Sequence, residues 1–263
     1  MTSALADTLA GAHPPVLARR AFVDQVMGMP VSVHVRAVDT SRSDVEAAAA
    51  RVFAHLRRVD AVLSTWRADS DLLRIQHGEI GEVDGVDEVH PWLAEVTDLC
   101  LEAEDRTDGF FRAWRRRPGG RLSFDPTGLV KGWAVAAAAE HLRIAPEIAY
   151  SIGAGGDVVV GTGTGVDQAP PWRIGIEDPR QRGGLARVVT VTQGAVATSG
   201  AAIRGGHVVD PRTGRGIVRA GSATVVGPDL MWADVWATAA WVDPQRARAL
   251  IEERDPAYDL IVI

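Results

Sequence analysis

Polar side chains with reactive or hydrogen-bonding groups are concentrated in one glycine-rich stretch, ATSGAAIRGGHVVDPRTGRG, residues 197–216. Seven of them could take part in chemistry, namely Thr198, Ser199, Arg204, His207, Asp210, Arg212 and Thr213. Taken singly, each one also fits an ordinary turn-stabilising role. His207 is the residue of this stretch whose unperturbed pKa suits proton transfer near neutral pH. The concentration of these groups at two predicted strand ends favours a catalytic site with His207 as its proton-transfer group.

A carboxylate and a hydroxyl are spaced one helical turn apart in MWADVWATAAWV, residues 231–242. Asp234 and Thr238 are at i and i+4, so their side chains face the same way on a helix. Two interpretations are open. Asp234 is the N-cap of the helix, or the two oxygens bind a hard divalent cation such as Mg²⁺.

Two further stretches carry weaker signals. In FDPTGLVKGWAV, residues 124–135, a glycine turn runs into a predicted helix with Lys131 in its first turn. An ammonium beside unpaired helix N–H groups forms an anion site, although a solvated lysine explains the pattern equally well. In SIGAGGDVVVG, residues 151–161, glycines before Asp157 permit close approach of a ligand, but such runs are common in plain turns.

These stretches together combine an anion-attracting helix start, a candidate Mg²⁺ pair, a histidine and glycine-rich loops. The combination suits phosphoryl or nucleotidyl transfer, in which a metal and positioned donors supply most of the catalysis. The spacing of the glycines matches neither a Walker A loop nor a Rossmann fingerprint. These residues alone therefore do not identify the nucleotide.

The composition bounds the class of protein. The chain has 263 residues, 46% of them hydrophobic, and a net charge of −6, which argues against general binding to nucleic acid or acidic membranes. No apolar run reaches the ~18 residues of a membrane span. The single cysteine, Cys100, excludes a disulfide framework and is expected in the core. Residues 1–20 are interpreted as a flexible lead-in without the features of a signal peptide, so we expect a cytoplasmic protein.

The elements that must position these groups follow from hydrophobic periodicity. Helices are predicted over 43–64, 69–75, 88–106, 131–142, 230–242 and 244–253, the first with a capping box of Ser43 and Glu46. Strands are predicted over 30–38, in short runs between 147 and 227, and at the C-terminal DLIVI. Because helices come early and strands cluster late, we predict an α+β fold rather than a regular βαβ array.

The order of motifs resembles that of the ApbE-type FAD:protein FMN transferases. The matching segments, which extend from about residue 27 to 242, are MGMPVSV, STWRADSDLLRI, TDGFF, GLVKGWAV, SIGAGGDVVVG, WRIGIEDP, ATSG, HVVDPRTG and ADVWATA. The resemblance implies a single ApbE-like domain, related to the T-fold, over residues 21–263, with helices packed on a mixed sheet. It further implies Mg²⁺-dependent transfer of the FMN moiety of FAD to a threonine of an acceptor flavoprotein, with release of AMP.

The resemblance also assigns roles to individual residues. His207 matches the histidine that deprotonates the acceptor threonine, and the motif residues Asp210, Thr213 and Gly214 shape the site. The metal set corresponds to Asp234, Thr238 and the backbone carbonyl of Gly128. The expected FAD contacts are Met27, Trp66, Asp108, Gly109, Phe110, Lys131 and Val208. No nucleic-acid or membrane partner is expected.

The sequence departs from the family pattern at several positions near these motifs. Ala136 and Trp133 replace the usual aspartate and tyrosine of the lysine motif, Met29 follows MG in place of threonine, and Arg112 stands where DGxF usually continues with aspartate. The histidine and the metal pair are intact, which favours the transferase. Two alternatives stay open, namely a metal-dependent FAD pyrophosphatase that uses water as the nucleophile and a non-catalytic flavin-binding protein.

Overall fold

A seven-stranded sheet forms the centre of the molecule. The computed structural model describes residues 16–80, 89–116, 120, 122–167, 169–181, 183–200 and 208–263. The strands are β1 (Ala18–Val26), β2 (Met29–Ala37), β3 (Trp114–Arg116), β4 (Leu122–Phe124), β5 (Ala149–Ala154), β6 (Asp157–Thr162), β7 (Trp172–Glu177), β8 (Leu185–Val191), β9 (Gly194–Gly200), β10 (Val209–Asp210), β11 (Arg215–Gly216), β12 (Ser222–Gly227) and β13 (Asp259–Val262). The helices are α1 (Ser43–Leu63), α2 (Asp71–Gln76), α3 (Pro91–Arg106), α4 (Thr127–Arg143), α5 (Leu230–Val242) and α6 (Pro244–Arg254).

The large sheet has the strand order β1-β2-β5-β6-β9-β12-β13, and every neighbouring pair in it is antiparallel. Three two-stranded sheets, β3-β4, β7-β8 and β10-β11, lie outside it. The predicted α+β class is therefore confirmed, while the expected mixed sheet is replaced by an antiparallel one. Hairpins and longer connections join its neighbours without the parallel crossover that a mixed sheet requires.

Opposite faces of the sheet have different coverings. On one face, α1, α4 and α5 pack over the strands, and the alternate side chains Val31, Val33 and Val35 of β2 are fully buried there. On the other face, the β7-β8 hairpin covers Val160 and Val196. The strict alternation of β2 is the pattern of a strand with one face in the core.

Helix α5 is the most enclosed helix of the described chain. Eleven of its thirteen residues are buried, Asp234 among them, and it lies against α4, α6, β9 and β12. Its approach to α4 is close because a β-carbon on Gly132 would lie 2.8 Å from the Cα of Met231 and 2.9 Å from the carbonyl oxygen of Leu230. A helix that is apolar on nearly all sides belongs in the interior.

Several boundaries differ from the predictions. The N-cap of α1 is Arg42 and no side chain caps the helix, so the capping box of Ser43 and Glu46 is wrong; Ser43 is already helical. Helix α4 begins at Thr127, four residues earlier than predicted. Strand β1 was not predicted, and its first residues belong to the segment interpreted as a lead-in. It is an edge strand with mostly exposed side chains, so its sequence lacks a buried apolar pattern.

Cys100 is fully buried in the core, as predicted, and burial raises the pKa of its thiol to about 12. No helix in the described part of the chain is both long enough and apolar enough to span a membrane.

Candidate active site

A cavity of about 500 Å³ lies where α1, α4, α5 and several loops meet. Its walls include most of the residues predicted from the sequence, namely Met27, Trp66, Phe110, Gly128, Lys131, Val208, Asp234 and Thr238. This volume is within the range of small-molecule sites, about 300–1,000 Å³. The side chain of Trp66 is 86% exposed, so it forms part of the rim and not of the floor.

The tight turn between β1 and β2 supplies one wall. Met27 and Gly28 both have positive φ, +55° and +71°, which is the backbone that a two-residue hairpin needs to match the twist of its strands. The turn brings Met27 and the first residue of β2, Met29, against the cavity.

Asp234 lies inside helix α5 and is not its cap. The N-cap is Asp229, whose side chain accepts a hydrogen bond from the Trp232 amide at 3.0 Å, so the N-cap interpretation of Asp234 is wrong. Only 2% of Asp234 is exposed, and its Oδ2 has no hydrogen-bond partner among the described residues. One turn later, the Thr238 hydroxyl lies 3.3 Å from the Ser199 hydroxyl of β9.

Lys131 lies in the second turn of α4, which corrects the predicted place in the first turn. Its ammonium is 2.5 Å from Oδ2 of Asp157 and 3.6 Å from Oδ2 of Asp234. Lys131 is therefore neither a solvated lysine nor an unpaired cation at a helix start. It is shared between two buried carboxylates that the sequence places 77 residues apart.

The charges of this buried cluster, Asp157, Asp234 and Lys131, do not balance. Burial raises the pKa of Asp234 to about 8, and the nearby charge of Asp157 adds to the increase, whereas Lys131 and the Gly132 amide oppose it. Burial also raises the pKa of Asp157. Burial lowers the pKa of Lys131, but the two carboxylates together bring it above its usual value. Two carboxylates share one ammonium, so the cluster accommodates a proton or one more cation.

The oxygen donors beside this cluster suit Mg²⁺. Gly128 lies one turn before Gly132, and a β-carbon on Gly132 would be 3.2 Å from Cβ of Asp234, so the start of α4 lies against the Asp234 face of α5. Gly128, Asp234 and Thr238 all line the cavity. Across the described residues no group of three or more His, Cys, Asp or Glu side chains could hold a metal. The candidate set is instead carboxylate, hydroxyl and carbonyl oxygen, which hard cations prefer.

Asp108 and Gly109 are placed beside the cavity and are not among the residues that line it. Asp108 has a φ of +50° and forms ion pairs with Arg246 at 2.5 Å and Arg254 at 2.9 Å. These contacts tie the turn before Phe110 to helix α6. Direct contact of Asp108 and Gly109 with FAD stays a prediction.

The polar stretch 197–216 divides into parts with different roles. Residues 201–207, which include Arg204 and the candidate base His207, lie outside the described residues. Val208, next in the sequence, is buried and lines the cavity. Asp210 accepts the Arg212 amide at 2.9 Å, and its carbonyl accepts the amides of Thr213 and Gly214, which is the turn-stabilising role.

Arg212 links this hairpin to its surroundings. Its guanidinium lies 5.1 Å from the ring centroid of Phe110 and 3.3 Å from the N-cap residue of α6, Asp243. The hairpin and the turn before Phe110 are thus both anchored at the start of α6.

Some residues of the site were not identified from the sequence. Asp157 was noted only as a residue after a glycine turn, and it is the closest partner of Lys131. Arg112, Arg115 and Asp125 also line the cavity. The sequence did contain a signal for Asp157, because it begins an apolar strand. A charge buried there requires a partner of opposite charge.

The family model of the ApbE family matches residues 27–114 and 112–262, which include every described wall of the cavity. This chain belongs to the ApbE family.

Named relatives and solved structures agree with this membership. The FAD:protein FMN transferase of Klebsiella pneumoniae (strain 342) is 25% identical over 305 aligned positions, covering 90% of this chain and 83% of that protein. The FAD:protein FMN transferase of Vibrio cholerae serotype O1 is 30% identical over 152 positions, covering 54% of this chain and 45% of that protein.

Crystal structures of ApbE family members share the fold of this chain. The ApbE protein of Thermotoga maritima superposes with a TM-score of 0.74 at 20% identity and covers 94% of both chains. The flavin transferase ApbE of Vibrio cholerae has a TM-score of 0.69 at 21% identity, covering 94% of this chain and 97% of that chain.

Proposed function

We propose that the protein is an FAD:protein FMN transferase that moves the FMN moiety of FAD to a threonine of an acceptor flavoprotein and releases AMP. The observation that carries the proposal is the buried Oδ2 of Asp234, which has no hydrogen-bond partner among the described residues and lies on a cavity wall in a chain of the ApbE family. A diphosphate is the kind of substrate for which a cation at such a carboxylate is useful.

Each wall of the cavity has a place in this proposal. The apolar and aromatic side chains of Met27, Phe110 and Val208 suit the flat ring of a flavin, and exposed Trp66 suits stacking at the rim. Asp234, Thr238 and the Gly128 carbonyl would hold Mg²⁺. A bound Mg²⁺ supplies charge neutralisation and orientation of phosphate oxygens at this point.

The chemistry assigned to the chain is a single phosphoryl-type displacement. The threonine Oγ of the acceptor forms a bond to the phosphorus of the FMN half, the bond from that phosphorus to the bridging oxygen breaks, and AMP leaves with the bridging oxygen. His207 takes the proton from the threonine hydroxyl. Lys131 would add positive charge near the phosphates.

The proposal is tested by incubating the protein with FAD, Mg²⁺ and candidate acceptor flavoproteins from the same cell, followed by in-gel flavin fluorescence under denaturing conditions. We expect fluorescence that stays on the acceptor and that depends on Mg²⁺. Asp234→Asn, which keeps the shape of the side chain and removes its charge, should abolish the signal. Release of FMN and AMP from FAD with no labelled acceptor would favour a pyrophosphatase instead.

A further inference from the structure

Asp157 is a fully buried carboxylate that the proposed reaction does not use. It is the first residue of β6, and none of its surface is exposed. Its Oδ1 accepts a hydrogen bond from the Thr198 amide of β9 at 3.0 Å. Its Oδ2 faces the Lys131 ammonium at 2.5 Å. The carboxylate is therefore fixed on one side by the backbone of the sheet and fixes a flexible side chain on the other.

Lys131 has two acceptors within reach and lies closer to one of them. The ammonium is 1.1 Å nearer to Oδ2 of Asp157 than to Oδ2 of Asp234, from the distances of 2.5 and 3.6 Å. The lysine stem has four methylene groups, so a small rotation would bring the ammonium into direct contact with Asp234. Such a contact would occupy Oδ2 of Asp234, which has no hydrogen bond to a described residue.

We propose that Asp157 is a positioning residue that restrains Lys131 and thereby leaves Asp234 accessible to a divalent cation. Asp157 acts through Lys131 and does not touch the cation or the flavin. The ammonium then supplies positive charge near the phosphates without replacing the cation at Asp234. This inference rests on the proposed function, because it assumes that the cation binds at Asp234.

Two simpler roles predict different behaviour. If Asp157 acted only through its negative charge, its removal would weaken cation binding whether or not Lys131 is present. If Asp157 were needed only for packing, its removal would lower stability, and the effect on cation affinity would again not depend on Lys131. If Asp157 instead restrains Lys131, the effect of its removal on cation affinity should disappear when Lys131 is also removed.

A double-mutant cycle on cation affinity separates these roles. The variants are Asp157→Asn, Lys131→Met and the double variant, and the probe is Mn²⁺ followed by electron paramagnetic resonance, with Mg²⁺ as competitor. Partners of metal-binding residues typically change metal affinity about 10–100-fold when they are removed. We expect Asp157→Asn to weaken Mn²⁺ binding by at least ~10-fold. In the Lys131→Met background the same change should stay within about 2-fold, the range of independent sites.

The controls decide between the possible failures. If Asp157→Asn weakens Mn²⁺ binding equally in the wild-type and Lys131→Met backgrounds, Asp157 does not act by restraining Lys131, while the proposed cation site at Asp234 still stands. Mn²⁺ binding that is unchanged in Asp234→Asn would overturn both the proposed cation site and this inference. If Asp157→Asn does not fold, as judged by circular dichroism, Asp157→Glu takes its place in the cycle. That variant keeps the charge but displaces the carboxylate, so weaker binding supports the restraint and wild-type binding contradicts it.

Discussion

At the scale of single residues, the candidate site is organised around an excess of buried negative charge. Asp157 and Asp234 are both nearly inaccessible to water, and one ammonium serves both. Buried carboxylates are costly unless they are paired, so they persist where a cation is part of the function. This incomplete ion-pair cluster is the basis of the proposed cation site.

The general-base role of His207 gives a prediction at the scale of a single residue. A threonine hydroxyl is a weak nucleophile at neutral pH, and a positioned base is worth about 10²–10⁴-fold in rate. We expect His207→Ala to bind FAD and Mg²⁺ normally and to transfer flavin at least ~100-fold more slowly. Because only a neutral imidazole accepts a proton, the wild-type rate should rise with pH through the neutral range, and the variant should lack this rise. Loss of FAD binding with the pH dependence retained would make His207 a ligand contact.

The sequence predicted the relative positions of site residues only where they are close together in the chain. Asp234 and Thr238 were placed on one helix face because a spacing of four is a property of the helix itself. The ion-pair partners of Lys131 were not predicted because they come from β6 and α5, far away in the sequence, while its contact with FAD stays a prediction. The importance of Asp157 was missed for the same reason.

At the scale of secondary structure, the crossing of α4 and α5 determines where the proposed cation ligands lie. Gly132 permits the close approach, since any side chain there would meet the backbone of Met231 and Leu230. Gly128 and Asp234 face the cavity from the two helices beside this contact. The site therefore depends on a glycine that touches neither cation nor flavin.

Gly132→Ala tests this dependence. Alanine is the better helix former by about 0.5–1 kcal/mol, so a loss of stability would report the clash. We expect unfolding free energy to fall by about 1–3 kcal/mol, the usual cost of overpacking, and Mn²⁺ affinity to fall because Asp234 moves with α5. The control is Gly161→Ala, whose added β-carbon would lie 2.7 Å from the Tyr150 hydroxyl. This control should destabilise the protein while Mn²⁺ affinity stays at the wild-type value.

Two histidines face each other where α1 packs on α4. The rings of His55 and His141 have centroids 5.7 Å apart. Burial lowers the pKa of both, and the neighbouring charges of Arg58 on His55 and Arg51 on His141 lower them further, with Glu140 opposing the shift at His141. A histidine with a lowered pKa in the folded protein binds a proton more readily in the unfolded chain. Its protonation therefore lowers the free energy of unfolding as the pH falls below the unfolded pKa of 6.5.

The two histidines should therefore lower the free energy of unfolding as the pH falls from 7.5 to 5, against an opposing contribution of Asp234, whose raised pKa favours the folded state at lower pH. In denaturant titrations at both pH values, His55→Gln and His141→Gln should each raise the free energy of unfolding at pH 5 relative to that at pH 7.5, compared with the wild type, because glutamine does not titrate. An equal change in the wild type and in both variants would contradict the role of the helix contact.

Sequence patterns predicted most of these elements but not all of their ends. The boundaries of α5 were predicted correctly at residues 230–242, because an apolar run of that length is typical of a buried helix. The start of α4 was missed, because its N-cap is Pro126 without a side-chain cap. Helix α1 begins at Ser43 as predicted, but its N-cap was predicted one residue too late, at Ser43 instead of Arg42, since Ser43 and Glu46 match the capping box in type but not in geometry.

At the scale of the whole molecule, one antiparallel sheet with helices on one face brings distant segments to a single cavity. Residues from the β1-β2 turn, α1, α4, β9, the hairpin after residue 207 and α5 all reach it. The α+β class followed from the order of elements. The strand order did not, because β1 was not predicted and because the pairings of β2 with β5 and of β6 with β9 join segments that are distant in the sequence.

In the proposed reaction this cavity transfers FMN from FAD to a protein and not to water. The ratio of AMP released to flavin covalently bound to a purified acceptor, determined by chromatography and intact-mass spectrometry of the same reaction, tests this directly. We expect equal amounts of the two products, attachment at an acceptor threonine, and loss of both products in Asp234→Asn. AMP accompanied by an equal amount of free FMN, with the acceptor unmodified, would contradict it.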